Sequence, residues 1–290
     1  MNRNQREFVE RIARQVLGDE KVEELKQIPF QDLGFGYDQF GMERESSLAA
    51  YLVARVLYER YFRVESRGNE NVPKTGRAIL AANHSGTIPI DGMMIGVDLL
   101  EKGAPPRAMR AVFENFVPKV PFVGLFFTRA GQVVGHRRNF EELLKAGEFV
   151  VVFPEGAKGT GKLFKDRYKL VRFNVGFMEL SLLHQAPLVP CAVIGGEEQM
   201  PILFKSKALA KLFDIPYVPI TPTFPLLGPL GLLPYPTKYY IQYGEPLHYY
   251  KEYGPDAVKH PDLIRRLADE YQEIVQQMIN DGLKQRESIF

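Results

Sequence analysis

The sequence predicts an α/β protein: a mixed, largely parallel sheet flanked by helices, preceded by an N-terminal helical segment. Three observations carry that prediction. From Gly68 onwards, short apolar runs alternate with stretches of helical period. The runs are continuous rather than alternating, as in strands covered on both faces. The residues before them carry helical stripes and no such run. The chain accordingly divides into a helical segment over 1–65, packed on the core or a membrane, and an α/β domain over 66–290.

The elements follow in order. Residues 5–27 are polar, with Phe8, Ile12, Val16 and Val22 forming a narrow apolar stripe, and predict one amphipathic helix. A turn region rich in glycine and aromatics runs from Phe30 to Met42. Ser46-Ser47 then offers an N-cap for a helix reaching about Phe62. That helix mixes Leu48, Tyr51, Leu52 and Val56 with Arg55, Arg60 and Arg63, a face that suits packing and also an anionic membrane. Buried strands are predicted at 77–82, 108–113, 149–153, 188–194 and 239–243. Helices are predicted at 91–100, 139–146 and 171–183, and a last one at 261–284 with Leu263, Leu267, Tyr271, Ile274, Val275 and Met278 at helical spacing.

The longest uncharged stretch, Ile215 to Thr237, invites a membrane span. Pro216, Pro219, Pro222, Pro225, Pro229, Pro234 and Pro236 remove too many N–H donors for a helix in hydrocarbon. It is either a proline-pinned loop or an apolar lip, Phe224 to Leu233, that touches a membrane surface or a lipid tail.

Composition excludes several classes. The 290 residues are 45% hydrophobic and 25% charged, which rules out disorder and leaves ample core. Lys+Arg 37 against Asp+Glu 35 gives +2, so no nucleic-acid partner is expected. The single cysteine, Cys191, excludes an internal disulfide and a multi-cysteine metal site; it is expected in the core. No secretory signal is visible at the N-terminus, and a cytosolic location or the cytosolic side of a membrane is expected.

The first chemical cluster lies where the first long strand ends: Asn83-His84-Ser85-Gly86-Thr87-Ile88-Pro89-Ile90-Asp91. A histidine leaving a buried strand stands at the carboxyl edge of the sheet, where open α/β folds hold ligands. Asp91 can fix its tautomer through one ring nitrogen, leaving the other as a general base. The plain alternative is a turn histidine beside a helix cap.

A second cluster, Phe153-Pro-Glu-Gly-Ala-Lys-Gly-Thr-Gly-Lys162, follows the valine-rich strand. Gly156, Gly161 and Lys162 match the phosphate-binding pattern G-x-x-x-x-G-K, but Leu163 stands where a hydroxyl should hold magnesium. Its glycines and lysines can still bind an anion. In Pro121 to Arg129, Arg129 ends an apolar run, where it either binds an anion or pairs with Glu155. Pro190 is expected to mark a strand start. No G-x-S-x-G elbow, H-E-x-x-H metal spacing or G-x-G-x-x-G fingerprint occurs.

In their order these elements resemble the glycerolipid acyltransferase superfamily. Asn83-His84 with Asp91 looks like its Asn-His-x4-Asp motif, Gly124 to Arg129 like its Gly-x-x-Phe-x-x-Arg-like motif, Phe153 to Lys158 like its Phe-Pro-Glu-Gly-Thr-Arg-like motif, and Val189-Pro190 like its later apolar strand. The resemblance spans about 66–245. Two departures stand out: six residues separate His84 from Asp91, and Lys158 replaces arginine. The longer gap requires a larger turn, expected to bulge at Ile88-Pro89, and is similar to the mono- and diacylglycerol-acyltransferase-like branch.

The resemblance implies an O-acyltransferase moving a fatty acyl group from a thioester, acyl-CoA or acyl carrier protein, to a hydroxyl of a lysolipid or partial glyceride. His84 would be the base and Asp91 its orienter. Glu155 and Gly156 would shape the acceptor site, and Arg129 and Lys158 would bind an anionic head. It implies no metal or bound cofactor, and a peripheral place on the cytoplasmic side of a membrane. Two alternatives remain open on sequence: a non-catalytic lipid-binding protein, and a nucleotide-binding phosphotransferase built on Gly156 to Lys162.

Overall fold

A computed structural model describes residues 1–86, 88–113, 122–206, 210 and 217–290. The expectations placed on Thr87, Pro121, Ile215 and Pro216 lie outside the described residues. In chain order the strands are β1 (Glu65–Arg67), β2 (Ala78–Ala82), β3 (Arg110–Phe113), β4 (Val133–Val134), β5 (Phe149–Val152), β6 (Leu188–Ile194), β7 (Phe204–Ser206), β8 (Val218–Ile220) and β9 (Tyr240–Tyr243). The helices are α1 (Arg3–Leu17), α2 (Asp19–Lys26), α3 (Arg44–Val56), α4 (Ile90–Glu101), α5 (Val123–Arg129), α6 (Arg137–Lys145), α7 (Ala157–Thr160), α8 (Gly176–His184), α9 (Tyr249–Tyr253) and α10 (Pro261–Gln285).

Among the described residues the main sheet has seven strands in the order β1-β9-β6-β2-β5-β3-β4. The run β6-β2-β5-β3-β4 is parallel throughout, with Leu80 opposite both Val151 and Val189. β9 joins β6 antiparallel, and β1 adds parallel to β9. β7 and β8 form a separate antiparallel pair. This is the mixed, largely parallel sheet that the sequence predicted.

Strand alternation sends successive side chains to opposite faces. Ala78, Leu80, Phe149, Val151, Val189, Cys191 and Val193 point to the face covered by α3 and α4. Ile79, Ala81, Val150, Val152, Leu188 and Ala192 point to the face covered by α6, α8 and α10. Both layers exclude water, which is why β2, β5 and β6 are apolar at every position. The three central parallel strands end along one edge, and the polar loops that follow them converge there.

Several boundaries differ from expectation. The single helix over 5–27 is two, α1 and α2, because Gly18 takes φ 84 between them. α3 begins at Arg44, before Ser46-Ser47, with Glu43 at its N-cap; the Ser46 hydroxyl donates to Glu43 instead. The helix expected from Val171 starts only at Gly176. The amides of Val171, Phe173 and Asn174 are already given to Glu155, Gln272 and Pro154 respectively. Pro190 lies inside β6 rather than at its start, since β9 pairs only from Cys191 onwards. Cys191 is fully buried, and burial pushes its thiol well above the ordinary range.

The N-terminal helices sit against the sheet domain. Tyr51, Ala54 and Tyr58 of α3 and the turn after it join the core beside α4, while Val53 and Val56 on the outer face are exposed. The Tyr58 hydroxyl donates to buried Asp98 of α4 at 2.6 Å, and Tyr243 of β9 donates to its other oxygen at 2.9 Å. Among the described residues no helix is long and apolar enough to cross a membrane. The segment from Pro222 to Thr237 is a loop with a short 3-10 turn at Gly228–Leu232, and it presents Leu226, Leu227, Leu230 and Leu233 to solvent.

Candidate active site

The site begins at the carboxyl end of β2, at the centre of the parallel sheet. Asn83 continues the strand with its side chain: its amide nitrogen donates to the Val193 carbonyl at 2.9 Å. Its amide oxygen accepts the Val193 N–H at 2.7 Å. The main chain of β2 can therefore turn away while still being tied to β6. His84, the next residue, is carried out over the sheet edge.

The His84 ring is held on three sides. Its Nδ1 lies 2.7 Å from Oδ2 of Asp91. Its face stacks on Phe153 with centroids 4.1 Å apart and planes at 20°. Its backbone N–H donates to Oε1 of Glu155 at 2.9 Å. The side chain is 13% exposed, so the ring is sheltered and yet reachable.

Asp91 stands in the first turn of α4 and is fully buried. Besides the His84 ring it accepts the N–H of Ser85 at 2.9 Å and that of Gly92 at 2.8 Å. Three contacts thus converge on one carboxylate and fix its orientation. The contact of Nδ1 with a carboxylate oxygen leaves Nε2 as the ring nitrogen not used by Asp91. The expected bulge at Ile88-Pro89 is a tight turn: Pro89 takes φ −76 and ψ 54, and the Ile90 N–H donates to the Ile88 carbonyl at 2.8 Å. That turn lets the pair close across six intervening residues.

Glu155 follows β5 and is 2% exposed. Its Oε1 takes the His84 N–H, while its Oε2 takes the Val171 N–H at 2.7 Å and faces Lys162 Nζ at 3.2 Å. Lys162 also meets Oε1 of Glu197 at 2.7 Å, and both of those side chains are nearly buried. Burial pushes the Glu197 carboxyl above the usual carboxylate range; Lys162 pulls it down, and the Glu155 charge adds to the rise. Gly156 has φ 58 and ψ −156, a backbone that a residue with Cβ rarely adopts. A Cβ on Gly159 would stand 2.5 Å from that of Glu155, so this loop closes over the carboxylate only with glycine there.

The cationic candidates are arranged differently. Arg129 ends α5, just before β4, whose Val133 pairs with Val112 near the end of β3. β4 is three strands from β2 in the sheet, on the order of 15 Å at ordinary strand spacing. The Arg129 guanidinium stacks 3.8 Å above the Tyr37 ring, and among the described residues it does not pair with Glu155. Lys158 is exposed on α7. The structure thus brings together His84, Asp91, Glu155 and Gly156, and leaves Arg129 and Lys158 at the rim.

The geometry does not favour the phosphate-loop alternative. α7 is a single turn that ends before Gly161, and Lys162 is occupied by two carboxylates rather than offered to a nucleotide. Sequence reasoning missed Glu197, Tyr37 and the role of Asn83. Two adjacent acids separated from a buried strand only by Gly195-Gly196, Glu197-Glu198, are the sequence signal for the first of these. Among the described residues no cluster suited to a metal ion occurs.

Comparison with known proteins places these residues in context. A family model described as Acyltransferase matches residues 63–194, which include His84, Asp91, Arg129, Glu155 and Lys162. An uncharacterized protein of Mycobacterium leprae is 40% identical over 255 residues, covering 87% of this chain and 69% of that protein. One of Mycobacterium tuberculosis is 39% identical over 258 residues, covering 88% and 72%. A Gallus gallus protein titled "DGAT1/2-independent enzyme synthesizing storage lipids" is 25% identical over 187 residues, 64% of this chain and 52% of that one. The crystal structure of the 1-acyl-sn-glycerophosphate (LPA) acyltransferase PlsC from Thermotoga maritima shares the fold. Its TM-score is 0.54 at 18% identity, over 98% of this chain and 95% of that one.

Proposed function

The chain belongs to the glycerolipid acyltransferase superfamily, and on that premise we propose that it moves a fatty acyl group from a thioester to the hydroxyl of a lysolipid or partial glyceride. The observation that carries the reading is the 2.7 Å contact between His84 and Asp91 at the carboxyl edge of the sheet.

Nε2 of His84 takes the proton of the acceptor hydroxyl as its oxygen attacks the thioester carbonyl. Asp91 holds the opposite ring nitrogen and stabilises the imidazolium that forms. The tetrahedral intermediate collapses with cleavage of the carbon–sulfur bond, and the imidazolium returns its proton to the departing thiolate. The products are an ester and a free thiol, and no residue of the chain is acylated. General-base help of this kind is worth about 10²–10⁴-fold, so alignment of the two substrates supplies much of the remainder.

Glu155 and Gly156 form the floor beside His84, and Arg129 and Lys158 receive the anionic head of the acceptor or donor. The donor is acyl-CoA or acyl carrier protein; no cofactor takes part. Both substrates carry long tails, which fits a peripheral place on the cytoplasmic face of a membrane. The exposed Leu226 and Leu230 of the proline-rich loop offer an apolar lip for it.

The test is acyl transfer by the purified chain on mixed vesicles, with labelled acyl-CoA or acyl carrier protein. Acceptors are lysophosphatidic acid, other lysolipids, monoacylglycerol and diacylglycerol, each run beside His84→Ala. Ester formed by the parent and absent from the variant is expected. Lipid binding that survives His84→Ala, with no ester from any pair, would instead favour a non-catalytic lipid-binding protein.

A further inference from the structure

The buried ion cluster behind the histidine has a task that the acyl-transfer scheme leaves unassigned. Glu155 is the hub that holds the His84 backbone, and it is 2% exposed. A carboxylate so far from water is costly unless a cation and hydrogen bonds compensate it. Its two donors are backbone amides, of His84 and Val171, and its cation is Lys162. Lys162 is itself 6% exposed and is shared with Glu197, 5% exposed at the side chain. Three elements are joined in this way: the turn after β2, the glycine-rich loop after β5 and the loop after β6. Lys162 thus sits two contacts from the His84 backbone amide, through Glu155.

We propose that Lys162 is a positioning residue for acyl transfer: shared between Glu155 and Glu197, it supplies the charge that lets Glu155 sit buried against the His84 amide. This rests on the reading of His84 as the base. Other charged or titratable groups near the loop include Lys158 on α7, Lys205, whose Nζ lies 3.2 Å from where a Gly161 Cβ would stand, and Tyr217, whose ring is 2.9 Å from the same point. Remove the ammonium and two carboxylates face each other with no cation between them. Glu155 then moves toward water, and its hold on the His84 N–H weakens. The imidazole loses its fixed place relative to the acceptor, a loss that falls on turnover rather than on binding.

Hydrogen exchange at the His84 amide reads the proposal without any substrate. Protection there should fall about tenfold or more in Lys162→Met while the Leu80 amide at the centre of β2 stays protected. Lys162→Arg keeps the charge and should hold protection within about fivefold. Should Lys162→Met fail to fold, Glu197→Gln takes its place: Lys162 then belongs wholly to Glu155, and His84 protection should rise about threefold. Unchanged exchange in Lys162→Met, or in Glu197→Gln where that is the variant measured, would overturn the proposal. So would equal losses in the Met and Arg variants.

Kinetics separates this idea from the one beneath it. With the parent active, Lys162→Met should lower kcat about 100-fold with KM for either substrate within about threefold. A raised KM at unchanged kcat would mean that Lys162 touches substrate and would sink the positioning role. A parent inactive with every donor and acceptor would defeat the acyltransferase reading, while the exchange result would still decide whether Lys162 holds His84.

Discussion

The side-chain amide of Asn83 bonds both the N–H and the carbonyl of Val193, at 2.7 and 2.9 Å, so the residue before His84 is fastened to the neighbouring strand by its side chain rather than its backbone. The register of β2 on β6 therefore fixes where His84 leaves the sheet.

Asn83→Ala would leave two buried main-chain groups of Val193 without partners, at a cost of about 1–3 kcal/mol each. Asn83→Asp keeps the acceptor but buries an uncompensated carboxylate against the Val193 carbonyl, so it should destabilise more than alanine at neutral pH. Thermal or denaturant unfolding of the three proteins checks the order, and equal stability of all three would refute it.

Asp91→Asn keeps the size of the side chain and loses the charge that holds the hydrogen on Nδ1 of His84. Turnover should fall about 10²–10⁴-fold, with the fold retained. Steady-state kinetics beside circular dichroism tests this; a loss under about fivefold would remove Asp91 from the mechanism.

Tyr37 lies outside the segment matched by the family model and yet carries the Arg129 guanidinium on its face at 3.8 Å. Such a contact is worth about 0.5–2 kcal/mol. Tyr37→Leu should raise KM for a phosphorylated acceptor about 3–10-fold and leave an uncharged acceptor unaffected, while Tyr37→Phe behaves as the parent. Equal effects on both acceptors would show that Arg129 does not read the head group.

Leu226 and Leu230 are 83% and 70% exposed on a loop that proline makes stiff. If they enter a bilayer surface, each contributes about 1.5–3 kcal/mol when fully immersed. The double change to serine should cut sedimentation with anionic vesicles about tenfold or more. Undiminished binding would place the contact elsewhere.

Glu197 gives a pH dependence. Burial raises its carboxyl above the ordinary value near 4.5, so the folded chain binds that proton more tightly than the unfolded one. The stability it contributes is therefore complete below the unfolded value and is lost as pH rises through the folded one. Glu197→Gln should melt like the parent near pH 4 and increasingly above it towards pH 8. A gap that shrinks or reverses with rising pH would contradict the assignment.

Much of this architecture was legible in the residues themselves. Continuous apolar runs specify strands covered on both faces, because no other partition of Ala78 to Ala82 or Leu188 to Ile194 keeps them from water. Asn83-His84 at the end of such a run, and Glu155-Gly156 at the end of another, were bound to share one edge once the sheet was parallel. What the chain could not announce was who pairs with whom across that edge. Lys162 sits in a glycine-rich loop that looks made for phosphate, but that loop folds it back onto its own Glu155, and the approach of the loop after β6 adds Glu197. Residues 171–175 have helical composition, but the amides of Val171, Phe173 and Asn174 are taken by Glu155, Gln272 and Pro154. Local sequence sets which faces are buried, since that follows from periodicity; contacts between loops far apart in the chain depend on how strands are ordered. Here the parallel packing of β5, β2 and β6 alone decides them.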